Sequence, residues 1–226
     1  MEKALENLSC VDCRVHHCFD EGERYPDFCP TVRKRDVYEK AMAELREPEV
    51  RRIAVAAAEV EYEGYGRRTR VEEVIQFAHK IGAKKIGIAT CLGLAKESQM
   101  LTKILRINGF EVVGAICKTG ATPKVEIGIP AACEAVGVNM CNPVLQAELL
   151  NDAGTDLNLI VGLCVGHDSL FIKYSDALCT SVITKDRVLG HNPAAALYQA
   201  EGYYKRLLEP QFAEDAAESN DGTAAV

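Results

Sequence analysis

The sequence predicts an α/β chain: a parallel, Rossmann-like sheet of at least four strands with covering helices, preceded by a Cys-rich metal-binding segment and a helical section. From Lys85 onward, short apolar runs bounded by Gly, Asn or Lys alternate with stretches of helical periodicity. Strands alternating with helices are the pattern of a doubly wound sheet. The N-terminus stands apart, because residues 1–35 hold four cysteines, two histidines and two prolines with little apolar content. Such a segment has no core of its own and needs a ligand or a docking surface to become ordered.

Taken in order, Asp36 is the expected N-cap of a helix with Val37, Ala41 and Leu45 on one face, and Pro48 opens a second at its first turn. Val50, Ile53, Ala54, Ala57 and Val60 carry that second helix to the interruption at Gly64 and Gly66. Thr69 with Glu72 three residues on marks a third, striped by Val71, Val74, Ile75, Ala78 and Ile81 and ended by Gly82. Strands are expected at Lys85–Thr90, Phe110–Ile116, Leu157–Gly162 and Leu178–Ile183. Between them lie helices at Leu94–Ile107, Pro143–Ala153 and Asp168–Tyr174. Thr119–Asn139, with Pro123, Pro130 and several Gly, offers only Val125–Ile129 as a weak strand and is read as a functional loop or lid. A last helix is expected over Pro193–Leu208, entered through Asn192. The expected organisation is therefore a metal-binding segment (1–35), a helical section packed on the core (36–82), an α/β domain (83–208) and a disordered acidic tail (209–226).

The 226 residues are 48% hydrophobic and 26% charged, the balance of a soluble globular protein. A net charge of -7 argues against general nucleic-acid binding, which needs a basic face to neutralise phosphates. No window approaches the roughly 18 apolar residues of a membrane-spanning helix. Met1–Ser9 carries Glu2, Lys3 and Glu6 and does not read as a signal peptide. A cytoplasmic protein is expected, without nucleic-acid or membrane partners, acting on a small-molecule substrate or with an electron-transfer partner. In a reducing compartment, its ten cysteines point to metal or thiol chemistry rather than cross-links.

Cys10, Cys13, Cys18 and Cys29 are spaced C-x2-C-x4-C-x10-C, with Pro30 directly after the last. Two thiolates in one tight turn can reach the same centre, and four within twenty residues make a full ligand set. One C-x2-C pair followed by single cysteines and a terminal Cys-Pro is nearer the style of a 4Fe–4S iron–sulfur cluster than of zinc. Zinc remains the alternative, because His16 and His17 add the Cys/His mixture that zinc prefers. The two histidines are otherwise read as solvent-facing.

Cys91, Cys117 and Cys164 each stand just past an expected strand end, where open parallel sheets bind ligands. Together they are candidate ligands of a second cluster with one open iron. Separately, Cys91 at a strand-to-helix turn, or Cys164 in Gly162–Asp168, is a candidate nucleophile with His167 and Asp168 beside it. Asp168 equally suits a helix cap. Cys141, before Asn142-Pro143, is a fourth candidate, whereas Cys133 and Cys179 read as small core hydrophobes. Lys185-Asp186-Arg187 and His191-Asn192-Pro193 are placed to close the same rim, with Arg187 available to an anion. No dinucleotide fingerprint or P-loop is present.

With these residues in view, the chain resembles a bacterial and archaeal family catalogued as domain of unknown function 1847, often labelled metal-binding. The resemblance rests on the Cys10, Cys13, Cys18, Cys29 run, on Ile88–Leu94, on Met140–Pro143 to Gly154–Asp156, and above all on Gly162–Lys173 with Lys185–Pro193. It implies metal binding and a compact α/β body, and it names no reaction.

Overall fold

A computed structural model of the chain describes residues 8–19 and 24–210. The expected acidic tail lies, from residue 211 on, outside the described residues. The chain divides between Arg67 and Arg68 into two compact units.

In the first unit, Ser9 opens a 3-10 turn, Cys10–Asp12, and its backbone N–H donates to the Asp12 carboxylate at 2.8 Å. Three helices follow: α1 (Pro30–Arg33), α2 (Arg35–Arg46) and α3 (Pro48–Gly64). Cys29 is the N-cap of α1 and Pro30 its first residue, which suits Pro because that N–H has no helical partner. Helix α2 begins one residue before the expected cap, so Asp36 lies in its first turn, where a carboxylate faces the positive end of the helix dipole.

The second unit opens with α4 (Arg70–Lys80), which has the expected capping box: the Thr69 N–H donates to Glu72 at 2.7 Å and the Glu72 N–H to the Thr69 hydroxyl at 3.4 Å. Then come β1 (Lys85–Thr90), α5 (Ala95–Ile107), β2 (Glu111–Ile116), α6 (Pro143–Asp152), β3 (Leu157–Val161), α7 (His167–Tyr174), β4 (Leu178–Ile183) and α8 (Ala194–Tyr198). All four strands are parallel, in the order β2-β1-β3-β4. The central strands β1 and β3 are buried almost throughout, as expected for parallel strands covered on both faces.

Alternation along β1 assigns the helices to faces. Ala89 shares a buried cluster with Ala147 and Leu150 of α6 and Phe171 of α7. Thr90, one residue on, points the other way and accepts a 2.7 Å hydrogen bond from Ser98 of α5. Helices α6 and α7 therefore cover one face and α5 the other. Gln146 of α6 is fully buried, and its side-chain amide donates to the carbonyls of Thr90 (3.1 Å) and Ala115 (2.6 Å). One side chain thus ties α6 to the carboxyl ends of both β1 and β2.

The elements depart furthest from the sequence reading in two places. The weak strand at Val125–Ile129 is instead a 3-10 turn, Lys124–Ile127, followed by a second at Ala131–Val136 and closed by a single bridge between Pro123 and Asn139. Pro123 and Pro130 have no N–H to give a ladder, and the buried Lys124 donates its ammonium to the Cys133 carbonyl inside the loop. The last helix stops at Tyr198 rather than Leu208, with only a 3-10 turn over Lys205–Leu208 beyond it. Gly202 weakens a helix at that point, and Leu197, Tyr198 and Tyr203 are exposed, so no packed apolar face sustains one. Among the described residues no helix is long and apolar enough to cross a membrane.

Candidate functional site

The loop after β1 turns toward α5 on one face, and the loop after β3 turns toward α7 on the other. Adjacent parallel strands whose loops part in this way leave a crevice between their carboxyl ends, the usual ligand position in open α/β sheets. Cys91 and Cys164 flank that crevice, the Cys91 N–H donating to the Val161 carbonyl at 3.2 Å. Gly162 (φ +62°) makes the turn out of β3, and a Cβ there would overlap Leu94.

Cys117, after β2, is 3% exposed and packs in the buried cluster that Cys91 and Cys141 also touch. The Leu92 N–H donates to the Cys117 sulfur at 3.4 Å. Cys141 precedes α6, whose N-cap Asn142 accepts from the Leu145 N–H at 2.9 Å. The neighbouring Cys141 side chain first, with burial adding to the effect, pushes the Cys117 thiol far up. Cys141 is driven the opposite way, first by Cys117 and then by His167, with the charge of Lys118 adding to it. The two shifts run in opposite directions, so the surroundings favour the thiolate at Cys141 over one at Cys117.

Arg187, in the loop after β4, donates from Nη2 to the Cys164 sulfur at 3.1 Å. This contact raises the guanidinium pKa first, and the charges of Cys91 and Cys141 add to it. Cys91 and Cys141 thus pack against the cluster that holds Cys117, and Cys164 faces Arg187 at the same end of the sheet. The cavity of about 640 Å³ lined by Ile88, Thr90, Ser98, Arg106 and Ile116 is elsewhere: it is on the α5 side, and no rim cysteine lines it.

The remaining candidates separate. The His167 side chain turns to Cys141, while its backbone N–H donates to the Cys164 carbonyl at 2.9 Å. Asp168 gives its carboxylate to the Ser169 N–H at 2.8 Å, a contact within its own helix turn rather than with a cysteine. Cys133 is exposed and is not a core residue, because the 3-10 turn that carries it, Ala131–Val136, buries none of its residues. Cys179 is half-buried, and burial pushes its thiol up. The pairing of Cys117 with Cys141 was not read from the sequence; the signal was a long Pro- and Gly-rich interval bounded by two cysteines.

In the first unit, Cys10 and Cys18 are exposed, Cys13 is half-buried and Cys29 is buried. The Thr31 hydroxyl, followed by the Thr31 and Val32 N–H groups, hydrogen-bonds the Cys29 sulfur and lowers its pKa. His16 takes a left-handed conformation (φ 52°), and Nδ1 of His17 is buried without a hydrogen-bond partner among the described residues. Among the described residues no group of three or more His, Cys, Asp or Glu side chains is arranged to hold a metal ion.

A family model described as "Protein of unknown function (DUF1847)" matches residues 29–182. The match includes Cys29 and all four rim cysteines and leaves out Cys10, Cys13 and Cys18. The chain is also 46% identical over 202 residues to an uncharacterized protein of Methanocaldococcus jannaschii, covering 89% of this chain and 99% of that one.

Proposed function

The chain belongs to the DUF1847 family, and we propose that it is a cytoplasmic metal-binding protein of the iron–sulfur type whose α/β unit carries a thiolate site for redox or sulfur chemistry. The observation that carries this reading is the packing of Cys91 and Cys141 around the cluster that holds Cys117, with Arg187 on Cys164 at the same carboxyl end of the sheet. A thiolate held by a neighbouring thiol and a histidine is a nucleophile at neutral pH. Arg187 supplies a fixed positive charge for an anionic substrate group. All ten cysteines are unpaired, which fits a reducing compartment.

Cys10, Cys13, Cys18 and Cys29 are the residues that would hold a 4Fe–4S cluster, which supplies one-electron transfer when bound. Their spacing and the lowered Cys29 thiol support this ligand role, since the thiolate is the ligating form. At the rim, Cys91 and Cys164 are the more open pair, with Cys117 too enclosed by Cys141 and Leu92 to serve first as a ligand. The competing reading is zinc in a structural or regulatory site without catalysis. Nδ1 of His17, next to Cys18 and without a hydrogen-bond partner among the described residues, favours it.

Purification without oxygen, followed by iron, acid-labile sulfide and zinc determination per chain, separates the two. About four irons with matching sulfide support the cluster, and stoichiometric zinc without sulfide overturns it. The rim is tested apart from the metal, by thiol-alkylation rates. Should Cys91→Ser with Cys164→Ser leave both metal content and rim reactivity unchanged, those two residues have no part in the site.

A further inference from the structure

Cys117 and Cys141 bound a long irregular connection, residues 118–140, whose stem is zipped by backbone hydrogen bonds. The Asn142 N–H donates to the Cys117 carbonyl at 2.8 Å, Met140 to Thr122 at 2.9 Å and Lys124 to Val138 at 3.1 Å. The Lys118 ammonium adds a bond to the Asn139 carbonyl. This is a compact loop closed at its base, and the Cys141 side chain packs at that base against the buried cluster that holds Cys117. A disulfide requires the two backbones to be close and the sulfurs to face each other. Backbones one hydrogen bond apart, carrying neighbouring sulfurs, need little movement to satisfy both.

We propose that Cys117 and Cys141 are a dithiol that exchanges with low-molecular-weight disulfides, Cys141 attacking and Cys117 resolving, so that oxidation ties shut the base of the 118–140 loop. The proposal rests on the reading of the rim as a thiolate site and adds the substrate class. Access assigns the roles: Cys141 is half-buried and beside His167, whereas Cys117 is 3% exposed. In the first step the Cys141 thiolate attacks one sulfur of the small disulfide, forming a mixed disulfide and expelling one small thiolate. Cys117 then loses its proton to the expelled thiolate and attacks the Cys141 sulfur. The mixed disulfide breaks, the Cys117–Cys141 bond forms, and a second small thiolate leaves and takes a proton from water. The protein loses two electrons and the small disulfide gains them, leaving two small thiols.

The test treats the full chain, with its metal and free of oxygen, with glutathione disulfide, and maps cysteines by alkylation and peptide mass. The expected product in the unaltered protein is a peptide linking Cys117 to Cys141, with two thiols lost per chain. Cys117→Ser should lose that peptide and accumulate glutathione on Cys141, and Cys141→Ser should take up none at either position. If Cys117 and Cys141 stay alkylatable while Cys91 or Cys164 takes the glutathione, the pair is not the exchanging dithiol, and the wider reading of a reactive rim stands. If no rim cysteine reacts, both readings fall. Mapping the unaltered protein decides the matter even if a serine variant does not fold.

Discussion

The Arg187 guanidinium donates to the Cys164 sulfur across 3.1 Å, joining the loop after β4 to the turn after β3. Both residues lie on exposed or half-exposed turns, so the contact adds little stability. It places a fixed positive charge at the mouth of the β1/β3 crevice. Steering of anionic reagents follows from such a charge.

Arg187→Ala is therefore expected to slow alkylation of Cys164 by iodoacetate by roughly three- to tenfold at low salt, and to change its reaction with neutral iodoacetamide much less. Site-resolved mass spectrometry of quenched samples measures both. Equal slowing by the two reagents would show that Arg187 only positions the loop.

For Cys141 the pH profile is the informative measurement. An ordinary thiol, with a pKa near about 8.5, gains close to tenfold in alkylation rate per pH unit below that value. The Cys141 thiol is depressed by Cys117 first and His167 second, so its rate should be nearly flat between about pH 6 and 8. Cys117→Ala removes the larger cause and should restore a rising profile, with His167→Gln moving it part of the way.

Much of this arrangement is legible in the sequence, for reasons the structure makes plain. Strands β1 and β3 stand out as largely apolar runs because both their faces are covered, and Thr69 with Glu72 is a local cap needing no tertiary context. Cys91, Cys117 and Cys164 are found at strand ends because strand ends are visible in the pattern. The Cys117–Cys141 contact is different, since it depends on how Pro123, Lys124 and Asn139 fold the intervening loop back on itself. Likewise, nothing local tells that Gln146 is buried under the rim, or that His167 turns to Cys141 rather than to Cys164.

Asp156 gives the acid side of stability. Its carboxylate accepts the Lys85 and Lys84 N–H groups, each at 2.8 Å, and these bonds hold its pKa below the ordinary value. A folded pKa lower than the unfolded one means that this contribution is complete above about pH 4 and is lost as pH falls through the folded value. Asp156→Asn should thus destabilise the protein at neutral pH and flatten the acid limb of a urea midpoint-versus-pH curve. A variant curve parallel to that of the unaltered protein would show that the two N–H bonds do not distinguish the carboxylate from the amide.

Gln146 links the core to the site. Its amide serves the carbonyls of Thr90 and Ala115, one residue short of Cys91 and two short of Cys117. Gln146→Leu keeps the volume but withdraws both N–H groups; the Thr90 carbonyl keeps the Cys117 N–H at 2.9 Å, so the cost is that of the lost hydrogen bonds, about 0.5–1.5 kcal/mol each. The offset is that Gln146 Oε1 itself has no hydrogen-bond partner among the described residues, so the substitution also removes one buried polar atom. The net loss should fall toward the low end, about 1–2 kcal/mol by urea unfolding. The sharper effect is at the rim, because freeing the carboxyl ends of β1 and β2 loosens the frame that holds Cys117 against Cys141. Alkylation of Cys117 should then accelerate relative to that of Cys179, a thiol raised by burial alone. Loss of stability with an unchanged Cys117 rate would mean that Gln146 supports the core and not the geometry of the cysteine pair.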